Sequence, residues 1–221
     1  MNTVPRSFLL LLIALNTGCT MLPYQAKQKP QLENPRPDID EVILAPVHGS
    51  PHAGDLTAWE NQFHHQLLDV SGIRKVDRAI SENDSRLTPT PSTAVLWVTV
   101  LDFDAYYPPQ ATLEIFFQFP TAPRRAPNSL LDIDRMGREQ LVTLGAENSQ
   151  QRFQIRVSAD DSRHGYDLLK FAEAQMDGDR GFDPIDRVLR DSSRFQAFTA
   201  YVAIKRCFQE MSKQKEGPHV R

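Results

Sequence analysis

The sequence predicts a single domain of the α/β (or α+β) class, with one mixed sheet of about four to five strands, helices packed on it and a C-terminal helix. Three observations support this prediction. Short apolar runs alternate with a helical periodicity near the start of the domain. Two β-rich runs flank a proline-containing turn in its middle. A helical apolar stripe lies near the end of the chain.

The first elements predict a strand, a helix and a second strand. The apolar run Val42–Val47 is typical of a strand that is buried on both faces. Asp55 is a candidate helix N-cap, and Gly72 is a candidate left-handed cap at the other end. Between them, apolar residues recur at spacings of three and four, at Leu56, Trp59, Phe63, Leu67 and Val70. Ile73–Val76 then predicts a short strand.

The middle of the domain predicts an antiparallel hairpin. Ala94–Phe103 is rich in β-branched and aromatic residues, and its first half is apolar on both faces, as in a central strand. The run Ala111–Phe119 alternates apolar and polar residues, as a half-buried strand does. The segment Tyr106-Tyr107-Pro108-Pro109 separates the two runs. We therefore expect a stiff, aromatic turn between paired strands.

The last part of the chain predicts one more strand and two helices. Residues Leu130–Leu144 are ambiguous between a short helix, a strand or both. Phe153–Val157 alternates like a strand, and a helix begins at Asp160-Asp161-Ser162. The final helix is expected from about Ser192 to Lys213, before Gly217 and Pro218.

The N-terminal residues predict an export signal. A short basic start ending at Arg6 precedes the apolar run Phe8–Leu15, which is too short to span a bilayer. Asn16-Thr17-Gly18-Cys19 follows. This arrangement resembles a bacterial lipoprotein signal peptide, although Asn16 stands where that family has Leu, Val or Ile. The resemblance implies that Cys19 carries lipid (including palmitate) and becomes the first mature residue. An ordinary cleaved signal and an uncleaved anchor are the alternatives.

The predicted organisation has four parts. Residues 1–18 form the signal peptide, and residues 19–41 form the lipidated cysteine with a polar, proline-rich tether. Fully extended, this tether would reach roughly 60 Å. Residues 42–213 form the domain, and residues 214–221 form a disordered tail. Thr20 follows Cys19 where inner-membrane lipoproteins of many bacteria have Asp, so the resemblance favours the outer membrane, with the domain facing the periplasm.

The charge and the cysteine content of the chain limit the partners and the covalent links to expect. The formal net charge is −3, and removal of the leader, which has one arginine and no acid, leaves −4. A mildly acidic chain of mixed sign gives no electrostatic reason to expect nucleic acid as a partner. With Cys19 acylated, Cys207 has no disulfide partner and is expected to be a small buried apolar residue.

No cofactor, metal site or catalytic residue is predicted. His48 and His52 flank Gly49 and Pro51, so their spacing fixes no geometry for zinc. Acidic residues between Asp177 and Asp183 lack the glycine and glutamate positions of a calcium loop. Three acids on or beside the hairpin could support acid–base chemistry, although acids at strand ends are commonly just solvated. They are Asp102, Asp104 and Glu114.

The candidate binding residues are Tyr106, Tyr107, Pro108 and Pro109. Exposed aromatic residues beside rigid prolines form a contact surface that loses little conformational freedom on binding. The alternative is that both tyrosines pack beneath the turn. The sequence alone does not separate these two interpretations.

The order of elements from Val42 to Phe119 resembles the α/β unit of a group of envelope lipoproteins. This group includes the curli-secretion lipoprotein and the activators of penicillin-binding proteins. The long amphipathic hairpins of the pore-forming member are missing, so pore formation is not implied. The fold resemblance alone implies no function. The leader, the tether and the missing catalytic constellation favour a non-enzymatic, lipid-anchored envelope protein that binds another envelope protein or itself. The alternatives are an exported hydrolase and a small-ligand-binding lipoprotein with a pocket between the sheet and the C-terminal helices.

Overall fold

The computed structural model describes residues 31–120, 148–175 and 183–215. These residues form one open mixed sheet with helices packed on it and a long C-terminal helix, which confirms the predicted fold class. The sheet has six strands rather than four to five. The additional strand is only two residues long, so it carries no periodicity from which it could be predicted.

The strands are β1 (Glu41–Leu44), β2 (His48–Gly49), β3 (Lys75–Arg78), β4 (Thr93–Asp104), β5 (Gln110–Pro120) and β6 (Asn148–Ser158). The helices are α1 (Leu56–Leu68), α2 (Gly165–Ala174), α3 (Pro184–Arg190) and α4 (Ser192–Lys215), and a 3-10 turn at Ser162–His164 precedes α2. The second predicted strand lies two residues later than expected. The final helix begins where predicted and continues two residues further.

The strand order is β3-β1-β4-β5-β6, with β2 paired to β4. Strand β1 runs parallel to both β3 and β4, and β4, β5 and β6 are antiparallel. The predicted hairpin is thus confirmed. We call the end of the sheet at Glu41, Thr93 and Pro120 the base, and the end at residues 105–109 the tip. Eleven residues of β5 separate the two ends, which corresponds to about 35 Å.

The two faces of the sheet differ in what covers them. On one face, the alternate residues Leu113, Ile115 and Phe117 of β5 are buried against the helical layer. The rings of Phe117 and Phe208 of α4 meet edge to face, with centroids 6.3 Å apart. The other face carries a smaller cluster and the half-buried pair Trp97 and Phe116. The main hydrophobic core therefore lies between the sheet and the helices.

The domain begins about ten residues before the predicted boundary. Residues 31–40, which we call the N-terminal arm, were predicted to belong to the tether, but Ile39 is fully buried and Arg36 is 4% exposed. Asn34 fastens the arm by hydrogen bonds to the backbone of Arg36, Ile39 and Ser71. The sequence prediction was wrong here because the local composition of the arm is that of a flexible segment. The few residues that fix the arm do so by contacting elements that are distant along the chain.

Helix α3 was not predicted, although its start has a recognisable signal. The Asp183 carboxylate accepts a hydrogen bond from the backbone N–H of Ile185 at 2.9 Å, and Pro184 occupies the first turn. An aspartate N-cap followed by proline is a common helix start. In α4, Cys207 is 2% exposed, and burial raises the pKa of its thiol. This confirms its predicted role as a buried small residue.

Candidate functional site

The tip of the β4–β5 hairpin is the candidate contact site. The Asp104 carboxylate accepts a hydrogen bond from the backbone N–H of Tyr106 at 2.9 Å, which fixes the start of the turn. The Tyr107–Pro108 peptide bond is cis. On the other side of the turn, the Pro109 carbonyl accepts a hydrogen bond from the N–H of Ala159 at 3.1 Å. The tip is therefore tied to the chain that follows β6.

A buried aromatic pair fixes the root of the hairpin. Phe103, near the end of β4, packs edge to face against Trp59 of α1, with ring centroids 5.2 Å apart. The Trp59 indole N–H donates to the Ala53 carbonyl at 2.9 Å. Gly54 lies beside this pair with φ of +73°, and a Cβ atom there would contact the Phe103 ring at 3.4 Å. The packing of α1 thus sets the direction in which the tip projects.

The two tyrosines at the tip are exposed. Tyr106 is 85% exposed and Tyr107 is 65% exposed, so they do not pack beneath the turn. Pro108 is also exposed, whereas Pro109 is buried and supports the turn from within. The predicted contact surface is thus present in part, as two aromatic rings and one proline. We call Tyr106, Tyr107 and Pro108 the tip surface.

The acids beside the hairpin each have a structural environment that differs from that of a catalytic pair. Glu114 forms an ion pair with Arg152 at 2.9 Å, across β5 and β6. Asp104 caps the turn, and Asp102 is exposed to solvent. Because the three carboxylates face different partners, their arrangement gives no support to the hydrolase alternative.

The histidines are likewise dispersed. His48 contacts Glu82 at 3.1 Å, while His64 packs beside His65 on α1 with ring centroids 6.1 Å apart. Burial lowers the pKa of the His64 imidazole, and the neighbouring Arg78 guanidinium lowers it further. Within residues 31–120, 148–175 and 183–215, no group of three or more histidine, cysteine or acidic side chains could hold a metal ion.

Aromatic side chains fill the contact between the last helices of the chain. Phe171 of α2 packs against Phe198 and Tyr201 of α4, with ring centroids 5.5 and 5.6 Å apart. Burial and the nearby Asp167 raise the pKa of Tyr201 to about 12. These contacts, with the contact between Phe117 and Phe208, fill the centre of the core, so a ligand pocket is not found at that position.

A cleft is present between the edge of the sheet and the C-terminal helices, in the region where the ligand-binding alternative predicts a pocket. A cleft of about 700 Å³ lies where β6 faces the start of α2 and one side of α4. Apolar side chains of Phe153, Ile155 and Val202 contribute to it. Five basic residues also line it, namely Arg156, Arg163, His164, Lys205 and Arg206. Because these residues come from three separate segments, namely β6, the 3-10 turn before α2, and α4, no local sequence pattern indicates the site.

Several sequence predictions fall on residues outside the described ranges. Cys19, the ambiguous segment Leu130–Leu144, Asp177 and Asp179, and the predicted tail from residue 216 onward are among them. Lipidation of Cys19 and binding at the tip surface remain predictions. Across the described ranges, no helix has both the length and the apolar character required to cross a bilayer.

Comparison with known proteins gives weak similarities only. No family model matches the chain, and no curated protein matches it significantly. A PelC dodecamer structure from Paraburkholderia phytofirmans is 18% identical, with a TM-score of 0.24, over 41% of this chain and 61% of that chain. A hypothetical protein from Chlamydia trachomatis is 11% identical, with a TM-score of 0.34, over 80% of this chain and 96% of that chain.

A DUF330 protein from Xanthomonas campestris is similar at the same level. It is 10% identical, with a TM-score of 0.32, over 85% of this chain and 94% of that chain. All three TM-scores are below 0.35.

Proposed function

We propose that this protein is a lipid-anchored component of the bacterial cell envelope, which binds another envelope protein through its tip surface and catalyses no reaction. The observation that carries the proposal is the tip surface itself. Two tyrosines are exposed on a turn whose root is packed against α1 and whose far side is hydrogen-bonded to the chain after β6. Rigid, exposed aromatic side chains are typical anchors of protein interfaces.

The position of the N-terminal arm supports the proposal. Arg36 of the arm donates a hydrogen bond to the Pro120 carbonyl, so the arm lies at the base of the sheet. The tip surface lies at the other end, about 35 Å away along β5. An anchor at Cys19 would therefore pull on the base and leave the tip surface directed away from the lipid. That orientation favours a protein partner over the membrane that holds the anchor.

The boundary of the arm also shortens the tether. Residues 20–30 comprise eleven residues, which extend to about 34 Å at most in a polyproline-like conformation. This is roughly half the reach predicted when residues up to 41 were assigned to the tether. The start of the N-terminal arm would thus stay within about 34 Å of the lipid surface. This distance restricts the partners that the tip surface can reach.

We expect Cys19→Ser to abolish attachment of lipid. Cells grown with labelled fatty acid should give a labelled, membrane-bound protein from the natural sequence. The Cys19→Ser protein should be unlabelled and should migrate differently in a gel because it retains its leader. Because Cys207 is 2% exposed, Cys207→Ser tests whether a second cysteine contributes label, and we expect none. Equal labelling of the natural protein and the Cys19→Ser protein would contradict lipidation at this residue.

We expect a photo-crosslinking amino acid in place of Tyr107 to trap one dominant partner in whole cells. The control is the same replacement at Leu68, which is 49% exposed at the C-terminal end of α1, close to where Ser71 binds Asn34 of the N-terminal arm. Tyr106→Ala combined with Tyr107→Ala should weaken association with that partner by at least about tenfold, since aromatic anchors typically contribute 2 kcal/mol or more.

The same double replacement should leave stability within about 0.5 kcal/mol, because both side chains are exposed. The mass of the crosslinked species distinguishes another protein from a second copy of this chain. A contact role for the tip surface would be contradicted if position 107 yields only uncrosslinked monomer, or if positions 107 and 68 yield the same products.

A further inference from the structure

The rings of the two tip tyrosines have no cation of this chain over them. Tyr166 of α2, which is 72% exposed, has the Lys170 ammonium group 5.7 Å from its ring centroid. Within the described ranges, no such contact is made to Tyr106 or Tyr107. Positive charge is attracted to the electron-rich face of an aromatic ring. The tip surface therefore offers two exposed rings to a cationic side chain of a partner.

Two carboxylates beside the tip surface also have no counterion. Asp102 and Asp104 alternate with Phe103 at the end of β4, so their side chains share the other face of the sheet, about 7 Å apart. Asp102 is exposed and has neither an ion pair nor a hydrogen bond within the described ranges. The Asp104 carboxylate accepts from the backbone N–H of Tyr106, which leaves its charge uncompensated there.

The arginines at the same end of the sheet, on β6 and the turn that follows it, are balanced by acids of their own segment. Arg156 interacts electrostatically with Asp160, and Arg163 is paired with Asp161 at 2.6 Å. The Arg156 guanidinium also donates to the neutral Gln110 side chain at 2.8 Å. These arginines therefore do not supply the counterion that the carboxylates of β4 lack.

We propose that the partner of the tip surface presents a basic segment, whose lysine or arginine side chains pair with Asp102 and Asp104 and stack on the exposed tyrosine rings. This inference rests on the proposed function and specifies the chemistry of the partner. Arginine suits the arrangement best, because its planar guanidinium can bind a carboxylate with two hydrogen bonds and stack on an aromatic ring. Pro120 and Asn148, which flank residues 121–147, pair at the base, at the opposite end of the sheet.

The test places a photo-crosslinking amino acid at Ala105, which is exposed and lies between the carboxylates and the tyrosines in the chain. Membranes from cells that make the full-length protein are irradiated, and the residues joined to position 105 are located by mass spectrometry. We expect a segment of another protein with lysine or arginine beside the crosslinked residue. The yield should fall when salt is raised from about 0.05 M to about 0.5 M, because salt screens exposed charges.

Asp102→Asn should lower the yield of this crosslink about threefold at low salt, the effect of losing one partly exposed ion pair. Asp102→Lys should lower the yield further, because a like charge repels a basic segment. The matched control is Glu33→Gln, which removes one negative charge from an exposed residue of the N-terminal arm, where the Glu33 backbone pairs with that of Ser71. We expect this control to leave the yield unchanged.

Several outcomes would overturn the basic segment while leaving the tip surface as a contact site. They are a trapped protein segment without lysine or arginine, a yield that salt does not change, and equal yields from Asp102→Asn and Glu33→Gln. A trapped polysaccharide in place of a protein, or a partner trapped from position 107 but not from position 105, would overturn it as well. If neither position traps a partner, this inference and the proposed function both fail.

Discussion

Phe117→Ala is expected to lower the free energy of unfolding by about 3–5 kcal/mol, the usual cost of removing a buried phenylalanine ring. Phe117 is 1% exposed and packs between Phe119 of its own strand and Phe208 of α4, with centroids 5.2 and 6.3 Å away. Because the sheet and α4 meet at this ring, its removal leaves a cavity that neither element can close by itself. Urea denaturation followed by circular dichroism measures the change.

Phe116→Ala provides a control of the same residue type one position away. Phe116 points to the other face of the sheet, where it is half-buried and contacts Trp97 at a centroid distance of 5.0 Å. Its replacement loses an aromatic contact and some apolar burial, so we expect a cost of about 1–1.5 kcal/mol. Equal losses from the two replacements would mean that the assignment of the helix-covered face is wrong.

This comparison also tests the ligand-binding alternative. A filled core between sheet and helix should show no stabilisation by small apolar molecules in the natural protein. The Phe117→Ala protein should gain stability on addition of benzene, because an apolar cavity of ring size binds such molecules. A natural protein that benzene stabilises as strongly would contain a pre-existing pocket, and the ligand-binding alternative would return.

The elements that sequence reasoning predicted well are those whose signal is local. Helix α1 carries its N-cap at Asp55, with the carboxylate accepting from Thr57 N–H at 2.9 Å, and its apolar residues repeat on one face. The two long strands of the hairpin differ in pattern because the first half of β4 is buried on both faces, whereas β5 is fully buried on one face only. In α4, the apolar residues continue over many turns. In each of these cases, the residues that determine the element lie within it.

The parts that sequence reasoning missed depend on residues that are distant along the chain. Strand β2 exists because β4 extends far enough to pair with His48 and Gly49. The residues that line the cleft beside β6 come together only because α2 and α4 pack against the same edge. For the tip surface, the pattern indicated aromatic residues in a turn but could not decide between packing and exposure. That choice depends on where α1 holds Phe103.

The N-terminal arm is the clearest case of this kind, because Arg36 contacts Pro120, which lies 84 positions later in the chain. Its guanidinium binds both carboxylate oxygens of Asp38, at 2.8 and 2.5 Å, and donates to the Pro120 carbonyl at 3.1 Å. Only 4% of Arg36 is exposed. A buried arginine with its donors satisfied has a fixed position, so this residue attaches the arm to the end of β5.

Arg36→Met is expected to lower the free energy of unfolding by about 2–3 kcal/mol. The methionine retains most of the apolar stem, but the Pro120 carbonyl loses its donor in a buried position, which costs about 1–3 kcal/mol. The Asp38 carboxylate, whose side chain is 45% exposed, remains partly solvated, so the loss stays below that of a fully buried pair. The change should also expose residues 31–40 to proteolysis, because the arm would detach before the domain unfolds.

Arg74→Met is the control, since Arg74 is also paired with an acid near the base, at 3.6 Å from Asp40, but its side chain is 84% exposed. An exposed pair of this kind contributes little, and we expect a change within about 0.5 kcal/mol. If Arg36→Met and Arg74→Met have the same small effect, the arm is not part of the folded domain. The tether would then extend to residue 41 as the sequence predicts, and the tip surface would no longer be held away from the membrane.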